Sequence, residues 1–146
     1  MTAPVDRFGV LALRRGVSLG VLLSTHARDF ELVLAAAAQS FGAGRGYSER
    51  EVNERLRAFL DGPGAMLGTD HVELRRWLVD FRVLARDGYG RVYTAGTPAE
   101  RIAGFIAQLA GVDLAAVARA AREDDAAKRA QRKERWQAAV GEGKAP

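Results

Sequence analysis

The chain of 146 residues has no cysteine and only two histidines, His26 and His71. Without cysteine there are no disulfides, thiolate metal sites or thiol nucleophiles, and the absence fits a reducing compartment. The two histidines are far apart, and neither has a second histidine at i+3 or i+4, so no metal site and no cofactor is expected. His71 falls where a helix begins and reads as a surface or capping group. Long apolar runs are also missing. The apolar stretch 17–23 is too short to span a bilayer, and residues 1–15 lack the charged-then-apolar order of a signal peptide. The expectation is a cytoplasmic protein with no membrane contact.

Catalytic signatures are absent too. No nucleophile elbow or Ser-His-Asp arrangement can be assembled. Gly42-Ala43-Gly44-Arg45-Gly46 follows a helix rather than a strand and contains no Gly-Lys-Ser/Thr, so it reads as a loop and not as a phosphate cradle. Acidic pairs such as Glu51 and Glu54 sit on a solvated helix face. No catalytic residue is expected, and the chain reads as a non-enzyme.

The net charge is +4, which favours anionic partners, but its distribution matters more than its size. Residues 1–43 carry four basic against three acidic side chains, 44–96 nine against eight, 97–118 one against two, and 119–146 eight against five. The centre is charge-rich and balanced, and the excess lies at the C-terminal end.

Four segments follow from the patterning. Residues 1–24 read as an N-terminal arm or as small strands at Val10-Leu11-Ala12-Leu13 and Val17-Ser18-Leu19. Residues 25–96 read as one domain. A first helix is expected over 27–41, stopped by Gly42, Gly44 and Gly46. Ser48-Glu49-Arg50-Glu51 is a capping box, preceded by Tyr47 as a hydrophobic staple. Val52, Leu56, Phe59 and Leu60 then give a second helix one apolar face. A third helix is expected from Asp70 to near Arg86, with Leu74, Trp77, Leu78, Phe81 and Leu84 as its buried stripe. Asp87-Gly88-Tyr89-Gly90 is a turn, and Arg91-Val92-Tyr93-Thr94 returns as the second strand of a hairpin whose first strand lies near 83–86. Leu56, Phe59, Leu74, Leu78, Phe81 and Val92 are expected to share one core.

Residues 97–125 read as C-terminal helices. Thr97-Pro98-Ala99-Glu100 looks like a second capping box, and Asp113 like the cap of a last helix. Residues 126–146 read as a charged helical tail with acid-first pairs Asp124/Lys128 and Asp125/Arg129. The fold class expected is mainly α, with some β: a winged-helix-type three-helix core with a β-hairpin, followed by C-terminal helices.

The blocks Tyr47-Ser48-Glu49-Arg50-Glu51-Val52-Asn53 and Leu74-Arg75-Arg76-Trp77-Leu78-Val79-Asp80 are followed by Leu84-Ala85-Arg86-Asp87 and the Gly90-Arg91-Val92-Tyr93 strand. Together they resemble a bacterial winged-helix-like family of unknown function, over roughly residues 29–94. Its members occur alone or fused behind ArsR-like helix–turn–helix transcriptional regulators. The resemblance implies a winged helix and a DNA-associated regulatory role.

The candidate nucleic-acid residues are Arg75, Arg76 and Arg82 on the third helix and Tyr89 and Arg91 at the hairpin tip. At 100° per residue Arg75 and Arg82 share a side, with Arg76 further round. In a winged helix they would reach the major groove and its phosphates. Against this, they could pair with Glu73, Asp80 and neighbouring acids on a solvated face, and the tip could be an ordinary hairpin turn. Asn53, unfavoured inside a helix, could bond the loop that opens the third helix. A second basic set, Lys128, Arg129, Arg132, Lys133 and Arg135, precedes Trp136 and could track a nucleic-acid backbone or serve as a solubilising extension. The expected partner is double-stranded DNA, or a second copy of the chain. The rival to DNA binding is a protein-interaction or dimerisation role for the same fold.

Overall fold

The computed structural model describes residues 2–143. Residue 1 of the expected N-terminal arm and residues 144–146 of the expected tail lie outside the described residues.

The N-terminal segment is helical, which corrects the expectation of strands or an irregular arm. Helix α1 spans Pro4–Leu11, with proline in its first turn, where the fixed φ suits a helix and the missing N–H costs nothing. Phe8, Leu11 and Ala12 recur at helical spacing and are buried, while Val10 and Leu13 face outward. The contiguous apolar letters therefore concealed a helical face. Helix α2 spans Leu19–Thr25, and the Ser18 hydroxyl accepts from the Val21 amide at 3.3 Å. Only Val17 keeps β character. It forms an isolated parallel bridge to Leu67, with Val17 N–H donating to the Met66 carbonyl at 2.9 Å.

Helix α3, Ala27–Ala38, is buried along its whole length from Asp29 to Ala37 and packs against α1 and α2 and against α6, Glu100–Leu109. Such a helix needs small side chains where its neighbours come close, and Ala35-Ala36-Ala37 supply them. Phe30 meets Trp77 and Phe81 edge-on, with ring centroids at 5.2 and 4.9 Å.

Strand β1, Tyr47–Ser48, runs into α4, Glu49–Asp61, through the expected capping box: Ser48 Oγ accepts from Glu51 N at 3.1 Å, and Ser48 N donates to Glu51 Oε1 at 3.2 Å. Helix α5 spans His71–Asp80, capped by Asp70, whose Oδ1 accepts from Glu73 N at 2.8 Å. It ends six residues short of the expected Arg86. Val83 N donates to Leu78 O at 2.8 Å and Arg82 N to Val79 O at 3.1 Å, the two bonds of a Schellman motif. Arg82 occupies the left-handed position of that motif, with φ 61°. Phe81 and Leu84 thus lie beyond the helix.

Strands β2, Leu84–Arg86, and β3, Val92–Ala95, form the expected hairpin. With β1 they make an antiparallel sheet in the order β1-β3-β2, with Tyr47 opposite Tyr93 and Arg86 also opposite Tyr93. Inward-facing Tyr93 takes the place expected for Val92, which is 42% exposed; a shift of one residue exchanges the two faces of a strand. Just after β3 a Cβ on Gly96 would sit 2.2 Å from the Arg82 carbonyl oxygen, so only glycine fits there. The order helix–strand–helix–helix–strand–strand is that of a winged helix, preceded by α1 and α2.

The second expected capping box does not form. Ala99 holds the N-cap of α6 without a side-chain bond, because the chain stays extended past Thr97 and Gly96 N is bonded to Val83 O at 3.0 Å. Ile102, Phe105 and Leu109 are buried as their spacing requires. The last helix, α7, spans Leu114–Gly143, and Asp113 Oδ1 accepts from Ala116 N at 3.0 Å. No single helix among the described residues is long and apolar enough to cross a membrane.

Candidate nucleic-acid interface

The two adjacent arginines of α5 are used differently. Arg75 is drawn inward against α4. Its Nη1 donates to Asn53 Oδ1, and its Nη2 lies 3.6 Å from Glu49 Oε1, which also accepts from the Tyr93 hydroxyl at 3.3 Å. Only 20% of the Arg75 side chain is exposed. Asn53 therefore ties α4 to α5 directly, not through the loop before α5. Arg76 faces outward on the same side as Val72 and Asp80, at successive i+4 positions, and has no ion-pair partner among the described residues.

Of the acids expected to neutralise these arginines, the neighbouring Glu49 reaches Arg75, while Glu73 and Asp80 are otherwise placed. Glu73 Oε1 accepts from Trp77 Nε1 at 3.2 Å, and Asp80 makes no ion pair among the described residues. Two nearby arginines contrast with Arg76: Arg50 of α4 pairs with Glu54 at 3.2 Å, and Arg45, in the loop before β1, pairs with Glu51 at 2.8 Å. His71 sits in the first turn of α5, with Nε2 3.3 Å from Arg57 Nη2.

Arg82 does not share a helical face with Arg75, since α5 has already ended; it is exposed at the junction between helix and hairpin. In the hairpin turn the Asp87 carboxylate closes the loop, accepting from Arg91 N at 2.8 Å, and Gly90 takes φ 66°. Tyr89 stands 85% exposed at the tip, with the Arg91 guanidinium 5.8 Å from its ring centre. Arg86 on β2 is also exposed and unpaired among the described residues. Sequence reasoning passed over Arg86 by treating 83–86 as a structural strand only; its place beside the turn, where the sheet face runs out, was not legible from alternation, which puts it on the side of buried Leu84.

The basic tail divides in the same way. Lys128 and Arg129 are held by Asp124 at 3.0 Å and Asp125 at 2.7 Å. Arg132, Lys133 and Arg135 are exposed without ion-pair partners among the described residues, and Trp136 is 66% exposed.

The buried acids are committed to structure. Asp29 receives two hydrogen bonds from Arg7, from Nε at 2.9 Å and Nη2 at 2.7 Å, and these hold its carboxyl below the usual aspartate range. Glu31 pairs with Arg101 at 3.0 Å. A carboxylate held ionised by a forked guanidinium is a poor proton donor near neutrality. Among the described residues no three His, Asp or Glu side chains cluster as a metal site would require.

These features define a mainly helical winged-helix domain, with a free arginine on its third core helix and an exposed tyrosine and arginines on its wing. No curated protein and no solved structure matches the chain. The profile described as "uncharacterized protein conserved in bacteria (DUF2087)" matches residues 23–95, from the end of α2 to the last residue of β3, and the chain belongs to that family.

Proposed function

We propose that this domain is a non-catalytic, cytoplasmic regulatory module that docks on double-stranded DNA, with α5 toward the major groove and the β2–β3 wing on the flanking backbone. The carrying observation is the set of uncompensated guanidiniums on these elements: Arg76 on the outward face of α5, Arg82 at its end, and Arg86 and Arg91 on the wing. An exposed arginine without a carboxylate partner has its full charge available for a phosphate or a guanine edge. Tyr89 beside Arg91 suits packing on a sugar. Arg75, sequestered against Asn53, serves the helix pair rather than the DNA.

The test is fluorescence anisotropy with a mixed-sequence duplex across a salt series. The wild type should bind more weakly as salt rises. Replacing Arg76, Arg86 and Arg91 together by alanine should flatten the slope of log K against log salt by about one unit per lost phosphate contact. Equal slopes for the two proteins would remove this face from consideration.

A second reading, a protein-interaction or dimerisation domain, is favoured by Trp136, which stands exposed on the far half of α7. Sedimentation of the wild type and Trp136→Ala separates it: a dimer lost in the variant supports it, and a monomer in both discards the dimer.

A further inference from the structure

Away from α5 and the wing, three stretches of chain that are remote in sequence meet around a cleft of about 710 Å³. Arg14 and Arg15 come from the turn after α1, Met66 from the loop before α5, and Arg122, Asp125 and Arg129 from α7. Four guanidiniums thus face a single carboxylate, and that carboxylate is already paired with Arg129 at 2.7 Å. Arg122 Nε donates to the Ala12 carbonyl at 3.3 Å, which orients its fork and leaves the terminal nitrogens unspent. Arg14 and Arg15 make no ion pair among the described residues; Arg14 is near Asp29, whose oxygens Arg7 already engages.

The arginine turn is fixed in place. Gly16 takes φ 61°, the Val17–Leu67 bridge closes it on both sides, and Gly68 N donates to Val17 O at 2.8 Å. A Cβ on Gly68 would stand 3.0 Å from the Gly16 backbone, so the two loops are in close contact. Leu13 and Met66 add an apolar wall. Like charges held together with too little counter-charge, here one carboxylate for four guanidiniums, are unfavourable unless an anion joins them. Arginine forks match phosphate oxygens two at a time, and the volume falls in the range of about 300–1,000 Å³ common to small-molecule sites.

We propose that this cleft binds a small polyanion carrying two or three linked phosphate groups, either free polyphosphate or the phosphate tail of a nucleotide. It lies outside the α5 and wing face, and all but Ala65 and Met66 of its lining comes from residues beyond the segment that defines the family. Met66 stands four residues before Asp70, the cap of α5, so the ligand would rest against the loop that seats the helix.

The experiment is isothermal titration of the full chain with sodium tripolyphosphate, with ATP, and with sulfate at matched ionic strength. Saturable one-to-one binding of tripolyphosphate or ATP is expected, with sulfate at least about tenfold weaker. Tripolyphosphate binding as well as ATP assigns the free-phosphate source; tighter ATP binding assigns the nucleotide; both uphold the site. Arg14→Ala/Arg15→Ala, and separately Arg129→Ala on the opposite wall, should each weaken binding, the double variant by about tenfold or more. Arg76→Ala should leave it unchanged, which keeps this site distinct from the proposed DNA face. These side chains are exposed, and matching thermal transitions verify that the variants fold. No saturable heat, sulfate equal to tripolyphosphate, or undiminished binding by both variants would overturn the proposal. So would displacement of tripolyphosphate by duplex DNA whose own affinity falls in Arg14→Ala/Arg15→Ala but not in Arg76→Ala, since the cleft would then belong to nucleic acid.

Discussion

Arg75 on α5 donates through Nη1 to Asn53 Oδ1 on α4, 22 residues earlier in the chain. Its neighbour Arg76 points the other way, into solvent. Two consecutive residues of the same type therefore carry different work, one fixing the angle between two helices and the other facing outward.

That division gives the first prediction. Arg75→Ala should lower stability, and a double-mutant cycle with Asn53→Ala should return a coupling of about 0.5–1.5 kcal/mol in urea unfolding. Arg76→Ala should change stability by no more than about 0.5 kcal/mol while weakening duplex binding. Additive single losses at Arg75 and Asn53 would mean that the bond contributes nothing.

The second prediction concerns acid. The two hydrogen bonds from Arg7 depress the Asp29 carboxyl, and burial only partly opposes them. A depressed native value means that the unfolded chain takes up the proton first as pH falls. The stabilisation is thus complete above about pH 4, the ordinary aspartate range, and drains away as pH drops through the lower native value. Asp29→Asn should cost about 1.5–3 kcal/mol at neutral pH and flatten the acid limb of stability against pH. Parallel acid limbs for wild type and variant in urea titrations would refute the linkage.

Arg82 supplies the third. Its φ of 61° is a conformation that costs an L residue about 1–2 kcal/mol and glycine almost nothing. Glycine also loosens the unfolded chain, by about 0.4–1 kcal/mol. Arg82→Gly should therefore stabilise the fold by about 0.5–1 kcal/mol, read as a higher urea midpoint at unchanged slope. A lower midpoint would show that the arginine side chain holds something in place.

The fourth concerns α7. From 126 to 141 every described side chain is exposed except half-buried Val140, and the helix docks through Leu114 and Ala118 at its start. Deleting 126–146 should leave the melting temperature within about 4 °C, since exposed i,i+4 ion pairs contribute little. Loss of the cooperative transition would place the far half of α7 in a core or an interface.

Much of the core was legible because local chemistry and tertiary structure agree there. Ser48, Asp70 and Asp113 cap the helices their spacing announced, and the Asp87–Gly90 turn closes the expected hairpin. The misses are places where a distant contact decides. Gly96 is pinned to Val83, which keeps the chain extended past Thr97 and prevents the box its sequence suggests. The end of α5 was invisible because its left-handed residue is an arginine, not the usual glycine. Arg75 looked like a DNA contact because only the fold reveals Asn53 beside it, and Arg14, Arg15, Arg122 and Arg129 are scattered until α7 folds back along α1.

Helix α7 also governs how the molecule moves in solution. Its 30 residues make a rod about 45 Å long, more than half of which projects beyond its packed segment. Tumbling must then be faster about the rod than across it, and viscous drag must exceed that of a sphere of 15.8 kDa. Amide relaxation along α7 would record that anisotropy directly, and gel filtration would return an apparent mass above the true one even for a single chain.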